Sequence, residues 1–242
     1  MKKYLLMSAA AAALIVTNLP SGAAAATFQG KNIPSHVSAV VGFHGVRAHK
    51  EITPSGAPGA PKCGTGFGAE LPTPDGLIAW NDTSGTGFDT GGGADFTCSA
   101  KTKIKKVYVY GYNAPANPEQ YNVTFYQNDS ADGSDEANDA QVKCAYTGLS
   151  GAGGGAYPVH VLTKLTLTTP CKLKPGKYWV EVQNNDSAGP WYWEMTSQLS
   201  GTQADWVDRN NLFGSGCTTL DNDEYLSNCL GYTYPDYMLE LH

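Results

Sequence analysis

Few groupings in this 242-residue chain combine the residue types and spacing that chemistry needs. A serine-hydrolase elbow requires G-x-S-x-G on a strand-to-helix turn. The nearest string, Gly148-Leu149-Ser150-Gly151-Ala152, ends in Ala and reads as a Gly-rich loop with no strand feeding a helix. His44 and His49 stand at a spacing that fits no regular element, and H-E-x-x-H is absent, so no zinc or copper site is expected. Glu181 and Glu194 offer a carboxylate pair of the kind glycoside hydrolysis uses. Both fall on the wet parity of their strands, whereas a catalytic acid needs partial burial to hold its proton. The acidic loop 129–139 carries Asp129, Asp132, Asp135, Glu136 and Asp139. Its first three acids, Asp129, Asp132 and Asp135, are the candidate ligands for a structural calcium, which takes hard oxygens. Their spacing departs from the EF-hand pattern, and a solvated hairpin tip explains the run equally. Asp221-Asn222-Asp223-Glu224 is a second such cluster. No other cofactor is expected.

The elements that hold these residues begin after a targeting segment. Met1-Lys2-Lys3 is basic, Tyr4 to Val16 is apolar, and Ala23–Ala26 is a run of small residues before Thr27. This is the pattern of a cleaved signal peptide over 1–26, which predicts a secreted or periplasmic chain. No later apolar run is long enough to span a bilayer, so no membrane insertion is expected after cleavage. The net charge is −6, and cleavage removes two lysines. An acidic body with scattered lysines argues against nucleic acid or an anionic membrane as partner. Six cysteines, Cys63, Cys98, Cys144, Cys171, Cys217 and Cys229, read as three disulfides in an exported chain. Composition does not decide their pairing. Sequential pairing, 63–98, 144–171 and 217–229, suits neighbouring strands and one loop.

Residues 27–75 lack periodicity. Pro54, Pro58, Pro61, Pro72 and Pro74 punctuate them. They predict an extended, irregular N-terminal segment packed on the rest, with one strand at 37–41. From 76 to 242 short runs alternate with period two between Gly, Pro, Asn and Asp. The runs are 104–112, 121–127, 157–168, 177–183, 191–199 and 234–241, with weaker ones at 77–80 and 95–98. No helical stretch of comparable strength follows the signal. The fold class predicted is all-β, an antiparallel β-sandwich. Parity sets the core face: Val107, Val109, Val123, Phe125, Leu165, Leu167, Tyr178, Val180, Val182, Trp191, Trp193, Met195, Tyr237, Leu239 and Leu241 face in.

Tyr108, Tyr110, Tyr112, Trp179 and Tyr192 fall on the outward parity, with Glu181 beside them. Exposed rings in such number ask for a cover. Three covers fit: the segment 27–75, a sugar whose C–H faces stack on aromatic rings, or another protein. Asn81, Asn122, Asn128 and Asn185 each open an N-x-S/T sequon, as an Asn/Thr-rich β chain does by composition.

The run Ala94-Asp95-Phe96 to Tyr112, the stretch Asn122–Tyr126, the run Leu173-Lys174-Pro175-Gly176-Lys177-Tyr178-Trp179-Val180-Glu181-Val182-Gln183 and Trp191-Tyr192-Trp193 together resemble bacterial secreted β-sandwich modules. The L-x-P-G-x-Y-W-V-x-V string is similar to one in jelly-roll-like domains such as pre-peptidase C-terminal domains. There it is a turn feeding a central strand. The resemblance covers residues 76–242 and implies a jelly-roll-like sandwich with an accessory or surface role. It brings no active site. The reading is therefore a non-catalytic exported module. A carbohydrate or cell-surface glycan is its expected partner, through Tyr108, Tyr110, Tyr112, Trp179, Glu181 and Tyr192. A structural or adhesive surface protein that meets another chain through the same rings is the alternative, and a hydrolase is the weakest option.

Overall fold

The computed structural model describes residues 40–42, 60–68, 75–113, 120–130, 135–152, 160–187, 189–197, 201–220, 226–231 and 236–242. The expected signal peptide, most of segment 27–75, Asp132 and the cluster 221–224 lie outside them, as does the side chain of Tyr112. The described strands are β1 (Val40–Gly42), β2 (Asp75–Ile78), β3 (Trp80–Asp82), β4 (Thr90–Cys98), β5 (Thr102–Asn113), β6 (Gln120–Asp129), β7 (Glu136–Ala152), β8 (His160–Leu173), β9 (Gly176–Asp186), β10 (Trp191–Thr196), β11 (Asp205–Asp208), β12 (Asp236–Tyr237) and β13 (Leu239–Leu241). One short helix, α1 (Leu226–Leu230), joins them. No described helix is long and apolar enough to cross a membrane.

The protein is all-β and mostly antiparallel. Its strands follow one path, β1-β2-β10-β5-β8-β7-β6-β9-β4-β11, that curls so its halves face each other like a sandwich. The join is narrow: β7 leaves β6 and pairs with β8 only at Gly151–Leu165 and Ala152–Lys164. A Cβ on Gly151 would run into the ring of Tyr121, so close packing requires glycine there. Residues 148–152 are thus the end of a long strand and not a loop. Exposed Ser150 pairs across to Gln120.

The inward parity holds along every predicted run. Val107, Val109, Val123, Phe125, Val180, Val182 and Leu165 are fully buried in one core. Trp191, Trp193 and Tyr237 stack through it, the last two with ring centroids 4.4 Å apart. Burying such rings contributes roughly 1.5–3 kcal/mol each.

The outward parity does not hold. Trp179 is 0% exposed, and Tyr108, Tyr110 and Tyr192 are 5% exposed each. The reason is a second layer on the far side of the sheets. Val207 and Leu220, from the chain that runs through β11 and beyond it, pack on Trp179 together with Tyr126 and Ala137. Phe67 stands edge-on to Tyr110 at 4.8 Å, and Met238 completes that group with Tyr108. Tyr192 belongs to the main core, and all six residues of β10 are buried. Glu194, expected on the wet side, is 0% exposed. Residues 60–68, from the expected N-terminal segment, supply part of this cover. Lys62 N–H donates to the Leu241 carbonyl at 2.7 Å.

The disulfides are Cys63–Cys98, Cys144–Cys171 and Cys217–Cys229. They indicate an oxidising, extracellular or periplasmic environment. Cys144–Cys171 ties β7 to β8 where the two sheet halves diverge. Replacing both cysteines by Ala is expected to cost about 2–4 kcal/mol in urea unfolding. Non-reducing peptide mapping of the native chain should return the three sequential pairs. Any crossed pair would contradict this fold.

Candidate functional site

A strand buried on both faces must supply partners for whatever polar groups it carries. β9 is such a strand. Val180 and Val182 point into the core, while Trp179, Glu181 and Gln183 point to the opposite face. The register sets Thr124 of β6 opposite Glu181 and Asn122 opposite Gln183. On the other flank β4 brings Gly93 opposite Glu181. A Cβ on Gly91 would collide with the Glu181 carboxylate, so this Gly-rich strand leaves the space that the carboxylate fills.

Two groups donate to the Glu181 carboxylate. Arg209, just after β11, donates from Nη1 to Oε1 and from Nη2 to Oε2, each at 2.9 Å. The Tyr126 hydroxyl donates to Oε2 at 2.7 Å. Burial and the Glu181 charge both push the Tyr126 hydroxyl pKa well up, so it stays a donor. Burial alone would lower the Arg209 pKa. Glu181 and Asp89 outweigh it and hold the guanidinium more firmly protonated than usual. Asp89 lies 3.4 Å from Arg209 Nη1 and accepts from Gln183 Nε2 at 2.7 Å. Gln183 also donates to the Thr90 carbonyl at 2.9 Å. The backbone joins in: Arg209 N–H donates to the Asp89 carbonyl at 2.9 Å.

These residues line an open cleft of about 220 Å³ with Asn81, Asn122, Thr124 and Thr147. Asn81 is held by β3, which pairs in parallel with β9 and sets Asn81 beside Asn185; its amide donates to Asn185 Oδ1 at 2.9 Å. The walls are amides, hydroxyls, two carboxylates and one guanidinium. Such a surface donates and accepts hydrogen bonds at many angles. Both carboxylates face the same guanidinium.

Of the expected ligand-binding residues whose side chains are described, Glu181 alone lines this cleft. Trp179 lies under the second layer, where its Nε1 donates to Asn128 Oδ1 at 2.8 Å. Tyr108, Tyr110 and Tyr192 lie elsewhere in the interior, and so does Glu194. Asp129 accepts from Asn138 Nδ2 at 2.5 Å. Asp135 accepts from Asn128 at 3.0 Å and pairs with Lys177 at 3.1 Å. No group of three His, Cys, Asp or Glu side chains suited to a metal occurs among the described residues. Sequence reasoning missed Asp89, Gln183 and Arg209 as site residues. One signal was present: Arg209 is one of only two arginines in the chain.

Lys177 also joins Asp135 to Asp95, whose Oδ2 it meets at 2.9 Å. Asp95 is buried on β4 and accepts Thr202 N–H at 3.0 Å. Burial raises its pKa above 3.8 despite Lys177 and the Thr202 amide.

Comparison of the chain with family models, with curated proteins and with solved structures finds no match.

Two outcomes follow from this geometry. Glu181→Gln keeps the shape but breaks the charged fork, and is expected to cost about 1.5–3 kcal/mol in chemical denaturation. Tyr126→Phe removes one bond to the same carboxylate and should cost less. For Asp95 the native state holds its proton more tightly than the unfolded chain. Its contribution is therefore complete below pH 3.8 and fades as pH rises to the raised native value. Asp95→Asn should flatten the loss of stability across that window. A stability difference between the two proteins that stays constant with pH would contradict this.

Proposed function

We propose that this chain is an exported, non-catalytic module whose cleft beside β9 binds a carbohydrate. The observation that carries the reading is the fixed array of Asn81, Asn122, Gln183, Asp89 and Arg209 around one shallow opening. A sugar hydroxyl both donates and accepts, and paired amide and carboxylate groups answer adjacent hydroxyls. Because Arg209 holds Glu181 and Asp89, and Asp89 in turn holds Gln183, the cleft is organised before the ligand arrives. Little ordering entropy is then lost on binding. A volume of about 220 Å³ falls below the roughly 300–1,000 Å³ of drug-sized pockets, so it suits a single sugar unit.

Export rests on the signal-peptide pattern of residues 1–26 and agrees with three disulfides. The absence of catalysis rests on the shared guanidinium: a glycosidase pair keeps one carboxyl available to hold and release a proton. Tyr108, Tyr110, Trp179 and Tyr192, the rings on which both the glycan and the adhesive expectations rested, are buried, so the carbohydrate reading stands on the polar cleft and not on an aromatic face.

The test is a glycan array followed by calorimetry on the mature chain. Native protein is expected to bind a defined neutral glycan. Asn122→Ala combined with Thr147→Ala should weaken that binding about tenfold or more, near 1.4 kcal/mol, with little change in melting temperature. A native chain that binds nothing on the array would overturn the proposal, and so would a double variant that binds as well as the native protein.

A further inference from the structure

Lysines that look scattered in the sequence are gathered by one strand pair. Residues 96–118 and 140–180 contain no Asp or Glu, yet they hold nine of the fourteen lysines in a chain of net charge −6. β5 and β8 run antiparallel with Lys103 directly opposite Lys172. Ile104 and Cys171, the next pair, are fully buried, so Lys103 and Lys172 point to the other side, and both are exposed. Lys101 and Lys174, just beyond the paired ends of β5 and β8, are also exposed and bring two more ammonium groups to that end of the ribbon. Lys62 donates to the Lys103 carbonyl at 2.6 Å and brings a fifth. None of Lys101, Lys103, Lys172 and Lys174 has a carboxylate partner among the described residues. The acid on the strand beside them, Glu240 opposite Tyr108, already meets His242 at 3.1 Å.

Like charges set directly opposite each other in a sheet destabilise it, by an amount on the order of 0.2–1 kcal/mol per pair. This arrangement is therefore unfavourable to the fold taken alone. A polyanion bound across the pair would relieve the repulsion. We propose that the lysine face of the β5–β8 ribbon docks an anionic polysaccharide.

The form of the face selects that partner. Lysine is a compact point charge without the planar fork that grips one phosphate or carboxylate, so a row of lysines suits charges repeated along a chain. Lys103 and Lys172 sit on strands about 4.8 Å apart, with Lys101 and Lys174 just beyond them, giving a compact cluster of charge. Val142 is the one exposed large hydrophobic side chain among the described residues. The face therefore offers no wedge to enter a bilayer and no aromatic platform to stack on a base. The carboxylates Glu181 and Asp89 sit in the cleft of the other sheet half, where Arg209 meets both, so they do not answer the lysine charge. The docking face is distinct from the carbohydrate cleft, and neither proposal depends on the other.

The experiment measures binding of the mature chain to heparin, to polygalacturonate and to phosphatidylglycerol vesicles over a range of salt. Binding to one or both polysaccharides, weakening steeply with salt, is the expected result. Heparin alone would assign the charge as sulfate, and polygalacturonate alone as carboxylate. Lys103→Gln with Lys172→Gln should weaken polysaccharide binding about tenfold, while Lys164→Gln, opposite Tyr108 on the same strand, should change it by less than about threefold. The melting temperature of the double variant should equal or exceed that of the native chain, because the opposed charges are gone. Failure of both polysaccharides to bind overturns the proposal, as does binding to vesicles alone or binding that survives the double substitution.

Discussion

The Glu181–Arg209 fork is the interaction on which one whole face of the molecule depends. A carboxylate on the central strand of a sheet half, covered from above, is costly unless it is paired and its remaining lone pairs are filled. Arg209 and Tyr126 meet that demand. Arg209 reaches Glu181 because β11 lies beside β4, and β4 lies beside β9. The same placement carries Val207 over Trp179. One ion pair and one layer of apolar packing thus require the same chain path, and the polar cleft is what remains open next to them.

Glycines make that path sterically possible. Gly91 leaves room for the Glu181 carboxylate, and a Cβ on Gly92 would lie 2.7 Å from the Tyr237 ring. The two neighbours stand on opposite faces of β4, so this strand is thinned on both sides. Strand interiors ordinarily lose stability from glycine, through entropy and missing side-chain contacts. Here the close approach of a carboxylate on one side and a tyrosine on the other uses the space that the missing side chains leave.

Charge is arranged on the same principle of separated surfaces. Acidic groups that are buried are held by donors: Asp95 by Lys177 and Thr202, Asp82 by Ser84 and Thr86. Lysines on β5 and β8 project into water without such partners. A net charge of −6 therefore does not describe the lysine-bearing end of the β5–β8 ribbon. Binding chemistry follows the local field and not the total.

Much of the fold was legible in the residues themselves. The alternating runs located β5, β6, β8, β9 and β10, and their parity named the core side chains from Val107 to Leu241 correctly. Alternation reports directly which side of a strand is apolar. The sequential disulfides followed from strands that neighbour in sequence also neighbouring in space. What the sequence could not convey was whether the second side of a sheet is covered. Tyr108, Trp179 and Glu194 carry outward parity and are nonetheless buried, because Phe67, Leu220 and other residues distant in sequence lie across them. The glycine-rich end of β7 looked like a loop, since glycine has no side chain to alternate. Arg209 gained its meaning only when tertiary packing set it against a carboxylate 28 residues away. Local periodicity fixes what a strand offers to each side. Only long-range packing decides what it meets there.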